Sequence, residues 1–357
     1  MQLGIIGLPQ SGKTTIFNAL TRDDHSTGTA HGRVEVRTSV IDVPDERLDR
    51  LAKMFYKAKT IYTKVTYADI AGLGSGTNKG EISGQLLNQL TQVDGLIEVV
   101  RCFESSLVPH THGSVDPARD IRMMDEELIL NDHIMVERKL ERMADELKKG
   151  GGRDKAVIQR EITLFEKLGE ALSAGKPLRD LELAEDEEKT LSGFGFLSRK
   201  PLLILLNLAE GQVAPAIEYG HQRSQITDLQ GKLEMELGQL PEEEDAAVFM
   251  QEFGIEELGS SRIIRASYEL LGLLSFFTIG DDEVRAWTVR RGALAPEAAG
   301  AVHTDFEKGF IRAEVIAFDD LMEAGGMAEG RSKGKLRLEG KQYPVKDGDV
   351  IQIRFSS

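Results

Sequence analysis

Eight consecutive residues near the start of the chain, Gly7 to Thr14, constrain the fold more than any other segment. They read Gly-Leu-Pro-Gln-Ser-Gly-Lys-Thr and match the pattern G-x-x-x-x-G-K-[ST] in full. An apolar run over residues 3–6 precedes them, and a helical pattern over residues 14–20 follows. A strand, a glycine loop and a helix in this order form a phosphate-binding loop, because backbone N–H groups and the helix N-terminus converge on phosphate oxygens.

This P-loop predicts a nucleoside triphosphate ligand bound with Mg²⁺. Lys13 is expected to contact the β- and γ-phosphates and to contribute to catalysis, and Thr14 is expected to ligate Mg²⁺. The predicted nucleotide-binding residues of this segment are Gly7, Leu8, Pro9, Gln10, Ser11, Gly12, Lys13, Thr14 and Thr15.

A second motif, Asp69-Ile70-Ala71-Gly72, lies at the end of a predicted strand over residues 65–70. Asp69 can hold Mg²⁺ through a water molecule, and the Gly72 N–H can contact the γ-phosphate. Leu73 follows, where Ras-type enzymes carry a glutamine that orients the attacking water. Leucine has no donor or acceptor, so another group must orient the water or hydrolysis is slow. His110 and His112, in the polar loop after the Cys102 strand, are candidates, and His110 is the one assigned as catalytic; the alternative is that these histidines are simply exposed.

Base recognition is assigned to Asn207-Leu208-Ala209-Glu210, which follows a predicted strand over residues 202–206. GTPases carry N-K-x-D at this point, and the aspartate accepts two hydrogen bonds from guanine. Glu210 is longer and would crowd guanine, whereas Asn207 has a donor and an acceptor for the 6-amino group and N7 of adenine. We therefore expect Asn207, Leu208 and Glu210 to bind the base, and we expect ATP to be favoured over GTP.

The remaining patterns predict an α/β fold with three parts. Strands that alternate with helices indicate a parallel-type sheet in a nucleotide-binding domain, residues 1–119 and 197–275. Apolar residues at alternating spacings of 4 and 3 predict an inserted helical hairpin, a coiled coil, within residues 120–196. The alternative is a helix pair packed on the sheet. Residues 276–357 predict a small α+β domain.

Composition restricts the class of protein. The 357 residues carry a formal net charge of −15, which argues against a free-standing DNA-binding protein. Residues 276–357 contain 12 basic and 14 acidic residues, so this part is the more favourable place for an anionic partner.

The single cysteine, Cys102, excludes an intrachain disulfide. No apolar run approaches the ~20 residues of a membrane span, so we expect a cytoplasmic protein without a membrane partner.

These motifs together resemble the YchF-type Obg-like ATPases, a branch of the P-loop GTPase class. The most specific segments are residues 69–73 and 79–81, Val99-Val100-Arg101-Cys102-Phe103-Glu104, residues 207–210, residues 283–288, and His303-Thr304-Asp305-Phe306-Glu307-Lys308-Gly309-Phe310-Ile311-Arg312-Ala313-Glu314. The resemblance implies a C-terminal TGS domain with a β-grasp fold, ATPase activity with Mg²⁺, and association with ribosomes, rRNA or translation factors. It also implies that a hydrophobic residue after the D-x-x-G motif is normal.

The sequence departs from the family pattern in two places. Gln10, Ser11 and Thr14 replace the usual Asn, Val and Ser of the P-loop, and the asparagine is a residue that helps to bind K⁺ in related enzymes. The family segment that precedes V-P-D-x-R-L is not found, so Thr29 is only a candidate for the Mg²⁺ ligand of the first switch. Two alternatives to an ATPase switch follow: a GTP-binding GTPase, and a nucleotide-gated binding module with negligible hydrolysis.

Overall fold

A computed structural model describes residues 1–25, 36–70, 84–149, 153–240, 250 and 257–356. The helices are α1 Lys13–Thr21, α2 Glu46–Met54, α3 Gly84–Gln92, α4 Pro117–Lys149, α5 Lys155–Ser173, α6 Glu185–Leu191, α7 Gly231–Gly238, α8 Gly259–Leu270, α9 Ala295–Val302, α10 Thr304–Lys308, α11 Phe318–Ala324 and α12 Met327–Ser332. The strands are β1 Gln2–Ile6, β2 Val36–Asp42, β3 Lys59–Ile61, β4 Lys64–Ile70, β5 Gly95–Arg101, β6 Leu202–Asn207, β7 Ser224–Leu229, β8 Leu273–Ile279, β9 Glu283–Arg290, β10 Phe310–Ala317, β11 Arg337–Glu339 and β12 Asp349–Phe355.

The chain divides into two compact units. The first comprises Met1–Ser39 and Thr66–Ser260, and the second comprises Val40–Val65 and Ser261–Ser357. The second unit therefore includes an early segment, residues 40–65, as well as the C-terminal part. Strand β8 spans residue 276, the position at which the sequence pattern changes. Among the residues described, no helix combines the length and apolar character needed to cross a membrane.

The first unit is built on a sheet with the strand order β2-β4-β1-β5-β6-β7. The pairs β1–β4, β1–β5, β5–β6 and β6–β7 are parallel. Strands β5 and β6 are buried along their whole length, which is expected for central strands with helices on both faces. The carboxyl ends of β1, β4 and β6 therefore lie at one edge of the sheet, where ligands bind in such folds.

The inserted helical hairpin consists of α4 and α5, which pack through apolar side chains at helical spacing. Ile129, Val136 and Met143 of α4 form one cluster with Ile158 and Phe165 of α5. The Asp154 side chain accepts a hydrogen bond from the Ala156 N–H and so caps α5.

Buried Asp132 fixes the base of the hairpin on the nucleotide-binding domain. Its carboxylate accepts hydrogen bonds from the Leu197 and Ser198 N–H groups, at 2.9 and 2.7 Å. Burial raises the pKa of Asp132 to about 6, while these hydrogen bonds oppose the shift.

The second unit contains a sheet with the order β11-β10-β12-β8-β9-β3. Its edge strand β3 pairs in parallel with β9, and Ile61 lies opposite Arg285. Leu48 and Leu51 of α2 are fully buried in one cluster with Phe277 of β8. The α/β class expected from the sequence, with an inserted hairpin and a small C-terminal sheet, is confirmed.

Candidate functional site

The P-loop connects β1 to α1 and depends on two glycines with positive φ. Gly7 has φ +147°, and a Cβ there would lie 2.4 Å from the Val99 carbonyl oxygen. Gly12 has φ +94°, and a Cβ there would lie 2.2 Å from Nδ2 of Asn207. Both separations are far below van der Waals contact. Any side chain would therefore move the loop, which is why both positions require glycine.

The other P-loop residues differ in exposure. Leu8 and Ser11 are buried, Pro9 and Thr15 are half-buried, and Gln10 is exposed. Gln10 has φ +64°, a left-handed conformation that is unfavourable for a residue with a Cβ. The loop thus combines buried residues that fix its base with a strained residue at its outer side.

Lys13 folds back onto its own loop. Its ammonium group donates hydrogen bonds to the carbonyl oxygens of Gly7 and Leu8, both at 2.9 Å. Burial lowers the pKa of Lys13 to about 8, although the nearby Asp69 carboxylate acts in the opposite direction. A partly desolvated ammonium is therefore present in the loop that the sequence assigns to phosphate.

The fold brings together Thr14, in the first turn of α1, and Asp69, near the carboxyl end of β4. The Thr14 hydroxyl donates to Oδ2 of Asp69 at 2.9 Å. Oδ1 of Asp69 is buried and has no hydrogen-bond partner within the described part of the chain. Burial raises the pKa of Asp69, and the Thr14 hydrogen bond and Lys13 oppose this shift. A hydroxyl and a carboxylate with an unused oxygen fit the oxygen ligands that Mg²⁺ prefers.

Asn207 lies at the end of β6 with its amide directed at the P-loop. Its Nδ2 donates to the Ser11 carbonyl at 2.9 Å, and its Oδ1 accepts from the Gly231 N–H at 3.3 Å. The side chain is 3% exposed. Both polar atoms of the Asn207 amide therefore bind backbone groups, whereas the sequence predicts that they bind adenine. Asn207 therefore joins the P-loop to the start of α7.

Two glutamines that the sequence analysis did not single out hold the segment after Asn207. Gln212 accepts from the Ala209 N–H at 2.8 Å and donates to the Cys102 carbonyl at 2.7 Å. Gln230 accepts from the Gly211 N–H at 3.1 Å. No local pattern marks these contacts, because each glutamine bonds to backbone that the fold brings near.

The predicted base-binding residues lie at the beginning of this segment. Leu208 is 4% exposed and packs in the core of the sheet, and Glu210 is exposed at a turn. Glu210 therefore presents a carboxylate at the surface of the segment, whereas Leu208 presents little side chain to a ligand.

The side chain of the sequence candidate His110 is buried, and both of its ring nitrogens form hydrogen bonds. Its Nδ1 accepts from the His112 N–H at 3.1 Å, so Nε2 carries the proton that bonds the Asp120 carboxylate at 3.0 Å. The side chains of His110 and Asp120 are 5% and 4% exposed. Neither ring nitrogen is free to bind a water molecule in this arrangement.

Arg101, at the end of β5, shapes the segment that leads to His110. Its Nε donates to the Phe103 carbonyl at 3.0 Å, and its Nη2 donates to the Val108 carbonyl at 2.7 Å. The guanidinium carbon lies 4.6 Å from the centre of the Phe103 ring. A buried guanidinium that binds backbone leaves no periodic signal, so in the sequence this arginine stands out only as part of a family motif.

A small cavity lies behind the P-loop and contains a buried acid. Ser11, Glu98, His110 and Asp120 are among its lining residues. Oε2 of Glu98 has no hydrogen-bond partner in the described ranges. Burial raises the pKa of Glu98 well above its usual value, and nearby Asp125 adds to the shift. Burial therefore favours the neutral form of the Glu98 carboxyl beneath the phosphate loop.

Two predicted site residues fall outside the described part of the chain. These are Gly72, with the adjoining Leu73, and Thr29. The site as described consists of the P-loop, the Thr14–Asp69 pair, the Asn207 segment and the His110–Asp120 pair.

Comparison with family models gives two matches. Residues 273–356 match the model YchF-GTPase_C, described as a protein of unknown function. Residues 2–139 match the model described as a 50S ribosome-binding GTPase.

Individual relatives match along the whole chain. The "Ribosome-binding ATPase YchF" of Bacillus subtilis is 40% identical over 365 aligned residues, which cover 99% of this chain and 98% of that protein. The protein of the same name from Escherichia coli O157:H7 is 39% identical over 366 aligned residues, with coverages of 99% and 98%.

A solved structure agrees with the fold. The structure of the Schizosaccharomyces pombe YchF GTPase superposes with a TM-score of 0.81 at 27% identity, and the match covers 99% of this chain and 97% of that chain. The P-loop geometry, the two family models and the end-to-end similarity lead to one assignment: the chain belongs to the YchF family.

Proposed function

We propose that this protein is a Mg²⁺-dependent P-loop ATPase that acts as a nucleotide-gated switch on the ribosome. One observation carries the proposal. The start of α1 (Lys13 and Thr14), the end of β4 (Asp69) and the end of β6 (Asn207) meet at one glycine loop. A site of this composition supplies a cation, oxygen ligands and backbone N–H groups to a triphosphate.

Phosphate binding requires Lys13 to exchange partners. Its ammonium leaves the carbonyls of Gly7 and Leu8 and binds the β- and γ-phosphate oxygens. The N–H groups of Gly12 to Thr15 bind the phosphates at the start of α1, where the helix dipole favours anions. Thr14 and Asp69 would hold Mg²⁺, which neutralises the charge that develops on the phosphate oxygens during transfer.

The preference for adenine is assigned to the segment after β6. Glu210 replaces the aspartate that guanine needs, and its longer side chain crowds the guanine 2-amino group. Isothermal calorimetry with ATP and GTP side by side tests this. We expect ATP to bind at least about tenfold more tightly, a difference of ~1.4 kcal/mol. Glu210→Asp should narrow that difference, and tighter GTP binding to the unmodified protein would refute the adenine preference.

His110 is proposed to orient the attacking water after it leaves Asp120. Its present hydrogen bonds therefore represent a resting arrangement. His110→Ala should lower kcat by about 10²–10⁴-fold with little change in ATP affinity, the range for loss of one acid–base group. His112→Ala is the matched control, because His112 lies in the same loop and the hydrogen bond that it donates to His110 comes from its backbone N–H, which the substitution keeps. Equal kcat values for all three proteins would exclude His110.

Ribosome association is proposed from the relatives that bear the name ribosome-binding ATPase, and it would place the protein in the cytoplasm. Co-sedimentation with ribosomes in the presence of ATP, ADP or no nucleotide tests it. Binding that does not depend on the nucleotide would contradict a nucleotide-gated switch.

A binding module with negligible hydrolysis is the second candidate, because both His110 nitrogens are engaged and Leu73 cannot orient water. A non-hydrolysable ATP analogue distinguishes the two. If the analogue supports repeated cycles of ribosome binding and release as well as ATP does, hydrolysis is incidental.

A further inference from the structure

The cavity behind the P-loop is bordered by three buried side chains, each with a polar atom that lacks a partner. Ser11, Glu98 and Arg101 line this cavity, and each residue is 2% exposed. Oγ of Ser11, Oε2 of Glu98 and Nη1 of Arg101 form no hydrogen bond with any residue whose position is described. Unpartnered polar atoms are costly in a protein interior and are rare for that reason. Three of them around one cavity therefore indicate a ligand that bonds to all three.

The hydroxyl of Ser11 lies on the side of the P-loop that faces β5. A Cβ at Gly7 would lie 2.9 Å from this hydroxyl oxygen and 2.4 Å from the carbonyl oxygen of Val99, which also lines the cavity. The backbone of Ser11 is held separately, because its carbonyl accepts a hydrogen bond from Nδ2 of Asn207 on β6. A ligand in the cavity therefore ties the side chain of Ser11 to β5, while Asn207 ties its backbone to β6.

The size and the charges of the cavity select a small neutral ligand. Its volume is about 10 Å³, which is about the least that one buried water molecule needs. The guanidinium of Arg101 repels a cation, and the carboxylate of Asp120, another lining residue, repels an anion. Nη1 of Arg101 can only donate, whereas a hydroxyl and a neutral carboxyl can donate or accept. A ligand with both donors and acceptors fits this set of groups.

We propose that the cavity is a binding site for one water molecule, which accepts a hydrogen bond from Nη1 of Arg101 and bonds to Oγ of Ser11 and Oε2 of Glu98. Buried water molecules typically make about three hydrogen bonds to groups that are otherwise unpaired. This water bridge joins the floor of the P-loop to the centre of the sheet. It forms in the protein without nucleotide, so it does not depend on the proposed ATPase activity.

Crystal structures of the full-length protein without nucleotide test the site directly. We expect one density peak about 2.7–3.2 Å from the three atoms in the unmodified protein. The peak should remain in Glu98→Gln, whose amide keeps a donor and an acceptor. Ser11→Val should lack it, because valine removes the hydroxyl and fills the space. Valine is also the usual residue at this position of the P-loop pattern, so this variant should fold.

Three crystallographic outcomes would overturn the inference. The first is a direct hydrogen bond between Ser11 and Glu98 with no density between them. The second is a peak that persists unchanged in Ser11→Val. The third is an anomalous signal at the peak after a bromide soak, which would identify an anion site instead.

Urea unfolding tests the water bridge in solution. Ser11→Val should lower the urea midpoint of the unmodified protein, because it leaves Glu98 and Arg101 without their shared partner. In a Glu98→Leu background the same substitution should cause about half that loss or less, since residues that share a partner are not additive. Ser267→Ala is the control, because the buried hydroxyl of Ser267 donates to the Ile263 carbonyl of its own helix. Its loss should be equal in both backgrounds, and an equal loss for Ser11→Val would overturn the bridge.

Discussion

The side-chain amide of Asn207 donates a hydrogen bond to the carbonyl oxygen of Ser11, so the last strand end of the nucleotide site is tied to the first. The same amide accepts from the Gly231 N–H. Three segments that are far apart in sequence therefore meet on one buried side chain. The stability of the P-loop depends on a residue that the sequence alone assigns to the base.

Asn207→Ala should weaken ATP and GTP binding to a similar extent. The substitution leaves the Ser11 carbonyl and the Gly231 N–H without partners, which costs about 1–3 kcal/mol of folding free energy. Calorimetry with both nucleotides and urea unfolding measure the two effects. A selective loss of ATP binding with unchanged stability would instead make Asn207 a reader of adenine.

Gly12→Ala should abolish nucleotide binding, because its Cβ would lie 2.2 Å from Nδ2 of Asn207. Gly113→Ala is the control: Gly113 also has positive φ, +81°, but a Cβ there meets no atom within 4 Å. We expect about 1–2 kcal/mol of backbone strain at either position and a larger loss of stability at Gly12. Thermal unfolding and ATP titration of both variants separate the backbone strain, which the two share, from the steric clash, which only Gly12→Ala creates. Equal losses of stability and of ATP affinity in the two variants would contradict this account.

ATP affinity should fall above pH 8. The pKa of Lys13 is lowered to about 8 by burial, so the free protein loses its ammonium charge as the pH rises through that value. Bound phosphate requires the charged form. The dissociation constant should therefore be about tenfold larger at pH 9 than at pH 7. Lys13→Arg stays charged at pH 9 and should therefore show a weaker pH dependence of ATP affinity. If the unmodified protein binds ATP equally well at pH 7 and pH 9, the charge of Lys13 does not control the affinity.

Glu98→Gln should stabilise the protein at pH 8 but not near pH 4. The folded-state pKa of Glu98 is raised, above all by burial, so the unfolded chain releases a proton that the folded chain retains. Stability is therefore lost as the pH rises above the usual value of 4.5, and at lower pH both states are protonated. Melting temperatures of both proteins across this range measure the effect. If the difference between the two melting temperatures does not change with pH, the ionisation of Glu98 does not affect the stability of the protein.

Gln10→Asn should raise the free energy of unfolding by up to about 1 kcal/mol, because asparagine tolerates the left-handed conformation better than glutamine. Tyr56→Asn is the matched control, since exposed Tyr56 has φ +51° in the second unit. Both should gain stability, and only the P-loop variant should change ATP binding. A loss of stability in Gln10→Asn would show that the glutamine side chain makes a stabilising contact.

The P-loop and the strand–helix alternation could be predicted because their determinants are local. The eight residues from Gly7 to Thr14 are contiguous, and the apolar run of β6 is uninterrupted. The partners of Asn207 and His110 could not be predicted. Their hydrogen bonds depend on backbone groups and on Asp120, which only the folded chain brings near. Spacing gives no information on such contacts.

The sequence pattern also could not predict that residues 40–65 belong to the second unit. Strand β3 has only three residues, Lys59–Ile61, and such a short run has no detectable alternation. Strand β8 forms part of a continuous apolar segment, so a change of pattern at residue 276 does not mark its beginning. A domain boundary inside an apolar run can be located only from the contacts between residues, and those contacts exist only in the folded chain.

The pairing of β3 with β9 has a consequence for synthesis of the chain. Residues 59–61 of β3 cannot pair with β9 until residues 283–285 have left the ribosome. At about 5–20 residues per second, this delay is on the order of ten seconds or more. Throughout that interval Leu48 and Leu51 lack the strands that bury them. A nascent chain that stalls before residue 283 therefore exposes these two leucines, and apolar side chains exposed during folding make a chain prone to aggregation.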